Sequence, residues 1–197
     1  TEFYPLLNKL KELKPAVIAG TSTAPPSLSA FIKQADEVGL KSLIIADGLG
    51  WVGEWYDLTG SSSNYVLDQI PAFATEEGKQ YAADFKARWG LDPSPSAAGL
   101  AYDGTNFFIA MAQDLYAKEG KLTSENIYQF VKDNIWTGKW TYKDGIVMDE
   151  YQYMPDTIPD MVIGKGKYMF PVRQYMNGEG KIVYPPDWAE TQLQVKP

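Results

Sequence analysis

Asp47 and the triplet Thr21-Ser22-Thr23 are the groups in this chain best suited to do chemistry. A carboxylate offers acceptor oxygens, and hydroxyls offer donors. Together they suit a zwitterion or an amide, with charge-assisted hydrogen bonds on the acid. Trp51 follows shortly after Asp47 and could stack on a ligand or wall a cleft. Each group also has a plainer use. Asp47-Gly48 reads as a turn, one hydroxyl of the triplet can cap a helix, and Trp51 can simply pack.

A strand–helix–strand unit brings these groups together. The apolar run Ala16 to Ala19 meets the polar loop Gly20 to Thr23. Pro25 and Pro26 suit a first helical turn, and Leu28, Phe31, Ile32, Ala35 and Val38 form an apolar stripe. Gly39 closes that helix. A second apolar run, Ser42 to Ala46, ends at Asp47. Both strands of such a unit run the same way, so both polar ends open on one edge of a sheet. Ligands of open α/β sheets bind along that edge. A short helix from Trp51 to Leu58 would add a positive dipole end, favourable to an anionic ligand group.

Composition narrows the chemistry. The chain has 197 residues, enough for one large domain or two small lobes. It has no Cys and no His, which excludes thiolate and imidazole catalysis and the commonest zinc sites. No metal and no cofactor is expected. An enzyme would have to run on carboxylates, Lys, Tyr or Ser. A net charge of −7 argues against a nucleic-acid partner. No apolar run approaches the ~20 residues that cross a bilayer.

Elsewhere the pattern is mixed. Residues 3–14 read as a helix with Leu6, Leu7, Leu10 and Leu13 on one face, and Tyr65 to Ile70 as a third strand. From Thr75 to Trp136 nearly everything reads as helix. Tyr81, Ala82, Phe85 and Trp89 form one expected buried face. Ala101, Phe108, Met111, Ala112 and Leu115 form another, and Ile127, Phe130 and Val131 a third, capped by Thr123. Trp140 to Tyr142 reads as a strand entering a turn, and residues 146–164 as a long ordered loop. Tyr168 to Met176 and Lys181 to Tyr184 flank Asn177-Gly178-Glu179-Gly180, a hairpin signal.

This order resembles the second half of a type I periplasmic binding protein, of the branched-chain amino acid and amide class that serves ABC importers. The passages that carry it are FYPLLNKLKELKPAVIAG, FIKQADEVGLKSLIIADG, LAYDGTNFFIAMA, TGKWTYKDG and YMFPVRQYMNGEGKIVYPPDWA. The resemblance covers nearly the whole chain. It implies an α/β, two-lobed fold with parallel sheets flanked by helices, of which this chain is the C-terminal half. Residues 1–70 would be a second-lobe βαβ segment, 71–149 a helical return to the first lobe, and 150–197 a hairpin segment returning to the second. The sheet beneath the 75–136 helices would come from residues outside this sequence, from another chain, or not at all.

The resemblance also implies a role. Asp47 falls where the family sets an acid against a ligand's α-ammonium, and Tyr102 where it often has a tyrosine near hinge and cleft. Relatives commonly place an aromatic near the loop that Thr21 opens, and this chain has none there. Ala97, Ala98 and Gly99 would open room for a ligand larger than leucine. The expected ligand is an amino acid, amide or small aromatic acid, bound between lobes without catalysis. The expected partners are that ligand, a membrane permease of an ABC importer and the missing N-terminal half of the same protein. The expected location is periplasmic or extracellular, associated with the cell envelope, with a signal peptide removed. Two rivals stand beside this: the ligand-sensing domain of a receptor or transcription regulator, and a carboxylate-dependent hydrolase using Glu54 and Asp57, or Asp144, Asp149 and Glu150.

Overall fold

The computed structural model describes residues 2–22, 24–164 and 166–197. Backbone contacts divide the chain into two units: Thr1–Pro71 with Leu91–Ser96 and Phe170–Pro197, and Ala72–Gly90 with Ala97–Met169. The pattern carries 150–197 as one segment; the contacts divide it at Phe170.

The first unit is built on a five-stranded sheet in the order β1-β2-β3-β4-β5. Its strands are β1 (Val17–Thr21), β2 (Leu43–Asp47), β3 (Leu67–Gln69), β4 (Val172–Met176) and β5 (Glu179–Tyr184). The first three are parallel. The last two join antiparallel, so the sheet is mixed rather than wholly parallel. Asn177 and Gly178 both take positive φ, at 52° and 86°, which is what a two-residue turn between right-twisted strands needs. Helix α1 (Tyr4–Leu13) leads into β1, and helix α2 (Pro25–Glu37) crosses from β1 to β2. Leu7, Ala35 and Leu40 form one apolar cluster, with Ile18 and Ile44 packed against it. Leu28, Ile32, Ala46, Leu49, Val66 and Tyr175 form the other. Ile18, Ile44 and Ala46 alternate with residues on the opposite face, as strand geometry requires. β1 lies at the end of the sheet, with no strand on its outer side among the described residues, and Val17 is 47% exposed.

The expected helix from Trp51 to Leu58 is two pieces. A 3-10 turn spans Leu49–Trp51, and α3 spans Trp55–Thr59. Gly53 falls between them, against the carbonyl of Asp92, where a Cβ would come within 1.6 Å of the oxygen.

The second unit is helical. It holds α4 (Glu76–Trp89), α5 (Ala101–Glu119), entered through a π-helical turn at Pro95–Leu100, and α6 (Ser124–Phe130), which runs on as a π turn to Ile135. Thr75 caps α4: its Oγ1 accepts from Gly78 N–H at 2.8 Å. Thr123 caps α6 in a reciprocal capping box with Asn126. Met111, Leu115, Phe130 and Ile135 make the core, with Phe107, Trp140 and Tyr153 against it. Trp140 to Tyr142 contributes only an isolated bridge, Tyr142 to Tyr151, and residues 146–164 run as an irregular loop.

Two expected buried faces are not buried. In α4 only Gly78 is fully enclosed. Tyr81, Ala82 and Phe85 are half-buried, and Trp89 is 59% exposed. In α5 Met111 and Leu115 are buried, but Ala101 is exposed, Ala112 half-buried and Phe108 52% exposed. The α4 rings adjoin along the helix, Tyr81 to Phe85 at 6.0 Å and Phe85 to Trp89 at 6.5 Å, and Tyr81 also meets Phe73 at 5.7 Å.

Candidate functional site: the carboxyl edge of the parallel strands

Thr21 and Asp47 are register partners, the last residues of β1 and β2. Their side chains therefore leave the sheet on the same face. Thr21 Oγ1 donates to Asp47 Oδ2 at 3.0 Å. Ser22 N–H donates to the Asp47 carbonyl at 3.2 Å, which carries the ladder one residue past the strands. The Ser22 hydroxyl accepts from Ala24 N–H at 3.2 Å, a local turn that feeds α2. Ala24, the residue before α2, gives no side-chain cap. Thr23 lies outside the described residues. Asp47 and Ser22 are half-buried, and Thr21 is exposed. The edge thus presents one partly shielded carboxylate, one oxygen of which accepts from a neighbouring hydroxyl.

Gly48 follows at φ +117°, a conformation that favours glycine. A Cβ there would sit 2.6 Å from the Ser22 carbonyl and 3.6 Å from the Trp51 ring. Trp51, half-buried, therefore stands beside the same turn. Within the first unit the structure brings Thr21, Ser22, Asp47 and Trp51 to one edge. Tyr102 belongs to the second unit, where it is 45% exposed and its ring lies 5.1 Å from that of Tyr81.

Sequence reasoning missed the residue beneath this edge. Asp68, on β3, is completely buried. Its Oδ1 accepts from Gly48 N–H at 3.2 Å, and its Oδ2 from Gly50 N–H at 2.7 Å and from the Tyr175 hydroxyl at 2.8 Å. Burial pushes the Asp68 carboxyl above the ordinary range, the three donors oppose that, and Asp47 adds to the rise. Burial likewise pushes the Tyr175 hydroxyl up. The positive end expected at Trp51 is not there for a ligand: Trp51 ends its turn, and two N–H groups at that turn are bound to Asp68. An acid standing inside the run VLDQI is the one signal that could have pointed to this.

Gly99 also corrects its expectation. A Cβ there would lie 2.6 Å from Val147 Cγ2 and 2.8 Å from Phe73 Cε1, so its small size serves packing within the second unit. Of the acids weighed for hydrolysis, Glu150 pairs with Lys167 at 3.5 Å. Among the described residues no group of three or more acids is arranged to hold a metal ion. A cavity of about 380 Å³ in the first unit runs between β1, α1 and α2. It touches Thr21 and Ser22 but is lined chiefly by Phe3, Leu6, Leu10 and Phe31, and Asp47 does not line it. With no charged group on its wall, it is a poorer seat for a polar solute than the edge itself.

No protein-family model matches the chain, and no curated protein does. Solved structures do. The leucine-binding protein LivK of Thermotoga maritima aligns over 94% of this chain and 49% of its own, at 19% identity and a TM-score of 0.65. The branched-chain amino acid transporter substrate-binding protein LivJ of Streptococcus pneumoniae, in complex with isoleucine, aligns over 91% and 47%, at 16% identity and 0.60. An extracellular ligand-binding receptor of Rhodopseudomonas palustris aligns over 93% and 52%, at 16% identity and 0.72. The chain spans about half the length of these structures. It has the fold of type I periplasmic binding proteins over that half. The proteins it resembles bind solutes, and no helix among its described residues is long and apolar enough to cross a membrane.

Proposed function

We propose that the chain is the C-terminal half of a solute-binding protein of an ABC importer, and that its ligand is an amino acid, an amide or a small aromatic acid. The observation that carries this is the partly shielded Asp47 carboxylate at the carboxyl end of β2, hydrogen-bonded by Thr21. A carboxylate so placed accepts charge-assisted hydrogen bonds from an ammonium or amide nitrogen. Asp68 favours an ammonium or amide nitrogen over a carboxylate at this edge, because it occupies the Gly48 and Gly50 N–H groups. Trp51 supplies an adjacent aromatic wall. The protein binds without turnover and works outside the cytoplasmic membrane, handing its ligand to a membrane permease. Its other half covers the apolar rings that α4 and α5 leave open, Trp89 and Phe108 among them.

A thermal-shift screen of the intact protein against amino acids, amides and aromatic acids tests this, since a bound ligand raises the melting temperature by mass action. Asp47→Asn should then weaken binding of an ammonium ligand by about 1.5–3 kcal/mol by titration calorimetry, the scale of a hydrogen bond to a charged group. Unchanged affinity in that variant would remove the site. Turnover of any hit would favour the hydrolase instead.

A further inference from the structure

We infer that Asp68 and Tyr175 are positioning residues: they fix the Gly48–Gly50 loop and so aim Asp47 and Trp51 at the ligand. This deepens the reading above and rests on it for the ligand, though not for the loop. Asp68 has no exposed surface, and of its three hydrogen bonds two go to the main chain of this loop and the third to Tyr175. Tyr175 is itself 1% exposed and packs its ring 4.1 Å from that of Trp55, just beyond the loop. The pair is thus seated in the sheet, and the loop is seated on the pair.

Contact distances show how tightly. A Cβ on Gly50 would lie 2.3 Å from the Tyr175 hydroxyl, 2.4 Å from Ile70 Cδ1 and 3.2 Å from Asp68 Oδ2. Only glycine lets the main chain come down onto these groups. The Ser94 hydroxyl holds the Gly50 carbonyl at 2.8 Å, and Ser22 N–H holds that of Asp47 at 3.2 Å. Main-chain donors and acceptors of Asp47, Gly48 and Gly50 are therefore gripped by three separate residues, Ser22, Asp68 and Ser94. A buried carboxylate is costly unless its acceptors are filled. Here two of the three filling groups belong to Gly48 and Gly50, which lie between Asp47 and Trp51, so the cost of burial is tied to the shape of the site.

The test compares the intact protein with its Tyr175→Phe and Asp68→Asn variants, and with Ile32→Val as a control in the same core. The Asn amide keeps the shape of Asp68 but turns one acceptor into a donor facing an N–H. Amide resonances of Gly48 and Gly50 and the Trp51 indole resonance are followed by NMR, and affinity is followed by calorimetry with L-isoleucine as the probe. The expected result is a shift of all three resonances in both variants and in neither case with Ile32→Val. Affinity should fall about tenfold in Asp68→Asn and a few-fold in Tyr175→Phe. If Asp68→Asn does not fold, Tyr175→Phe carries the test. Loop resonances that stay in place, or move without any loss of affinity, overturn the inference. If the unaltered protein does not bind L-isoleucine, the amino-acid reading loses support, while unmoved or moved loop resonances still count against or for the positioning role.

Discussion

The two units use the same device. In the first, Asp68 gathers the N–H groups of Gly48 and Gly50 and the hydroxyl of Tyr175. In the second, Asp103, 1% exposed on the first turn of α5, gathers Ile146 N–H at 2.8 Å, Val147 N–H at 2.9 Å and the hydroxyl of Tyr151. Each is a buried carboxylate with two main-chain donors and one tyrosine, and each pins an irregular loop to a regular element. The loops differ in content. The first lies between the acid and the aromatic ring of the proposed edge. The second begins a long stretch with little regular structure, where Thr75 also holds the Ile146 carbonyl at 2.9 Å. Sequence gives no hint that the two are alike, because Asp68 and Tyr175 are 107 positions apart and Asp103 and Tyr151 are 48 apart. A buried acid supplies loop order wherever three donors can converge.

The comparison can be broken most directly by removing both acids. Asp68→Ala and Asp103→Ala should each destabilise the protein by about 3–4 kcal/mol in denaturant unfolding, because three donors lose their acceptor in a buried site. A cost near zero for one would show that its loop finds water instead. The Asp68 variant alone should also lose affinity.

Glycine substitutions sharpen it next. Gly50→Ala should cost about 2–3 kcal/mol by overpacking against Tyr175 and Ile70. Gly104, beside Asp103 on α5, has no heavy atom within 4 Å of a would-be Cβ. Gly104→Ala should therefore stabilise by about 0.5–1 kcal/mol through helix propensity. Thermal melts of the two variants should move in opposite directions.

Removing only the hydroxyls is gentler. Tyr175→Phe and Tyr151→Phe should each cost about 1.5–3 kcal/mol, the scale of a hydrogen bond to a carboxylate. The smallest effect is in the pH profile. Burial holds the Asp68 carboxyl above its ordinary value, so its contribution to stability is complete below about pH 3.9 and is lost as pH rises through the raised value. Asp36 runs the other way. Burial tends to raise its carboxyl, but Lys196 at 2.6 Å and Ser62 outweigh that and the net direction is down. Its contribution is present above about pH 3.9 and is lost as pH falls. Melting curves across that range should show Asp68→Asn removing the loss on the rising side and Asp36→Asn the loss on the falling side.

Much of the first unit was legible from sequence. The stripe from Leu28 to Val38, the glycine after it, the polar loop closing the first apolar run and the acid closing the second place β1, α2 and β2 to within about two residues, because local periodicity and capping fix them. Asp47, Thr21 and Ser22 meet as expected because parallel pairing in register leaves no other outcome. Asp68 was not legible as a clamp, since its role depends on β4 arriving from far along the chain. The α4 rings misled for a related reason. Spacing reveals an apolar stripe but not what lies against it: Tyr81, Phe85 and Trp89 recur at helical intervals, yet Tyr81 meets Phe73 and Tyr102 while Trp89 stays exposed.

The outer edge of β1 has a practical consequence. Its main chain ends the sheet without a neighbour among the described residues, and Val17, Ala19 and Gly20 on it are exposed and uncharged. Such an edge is a template for another extended chain. Purified alone, the 197-residue chain should be a concentration-sensitive reagent, clouding and binding fibre dyes as it is concentrated, and a lysine placed at Val17 should keep it clear.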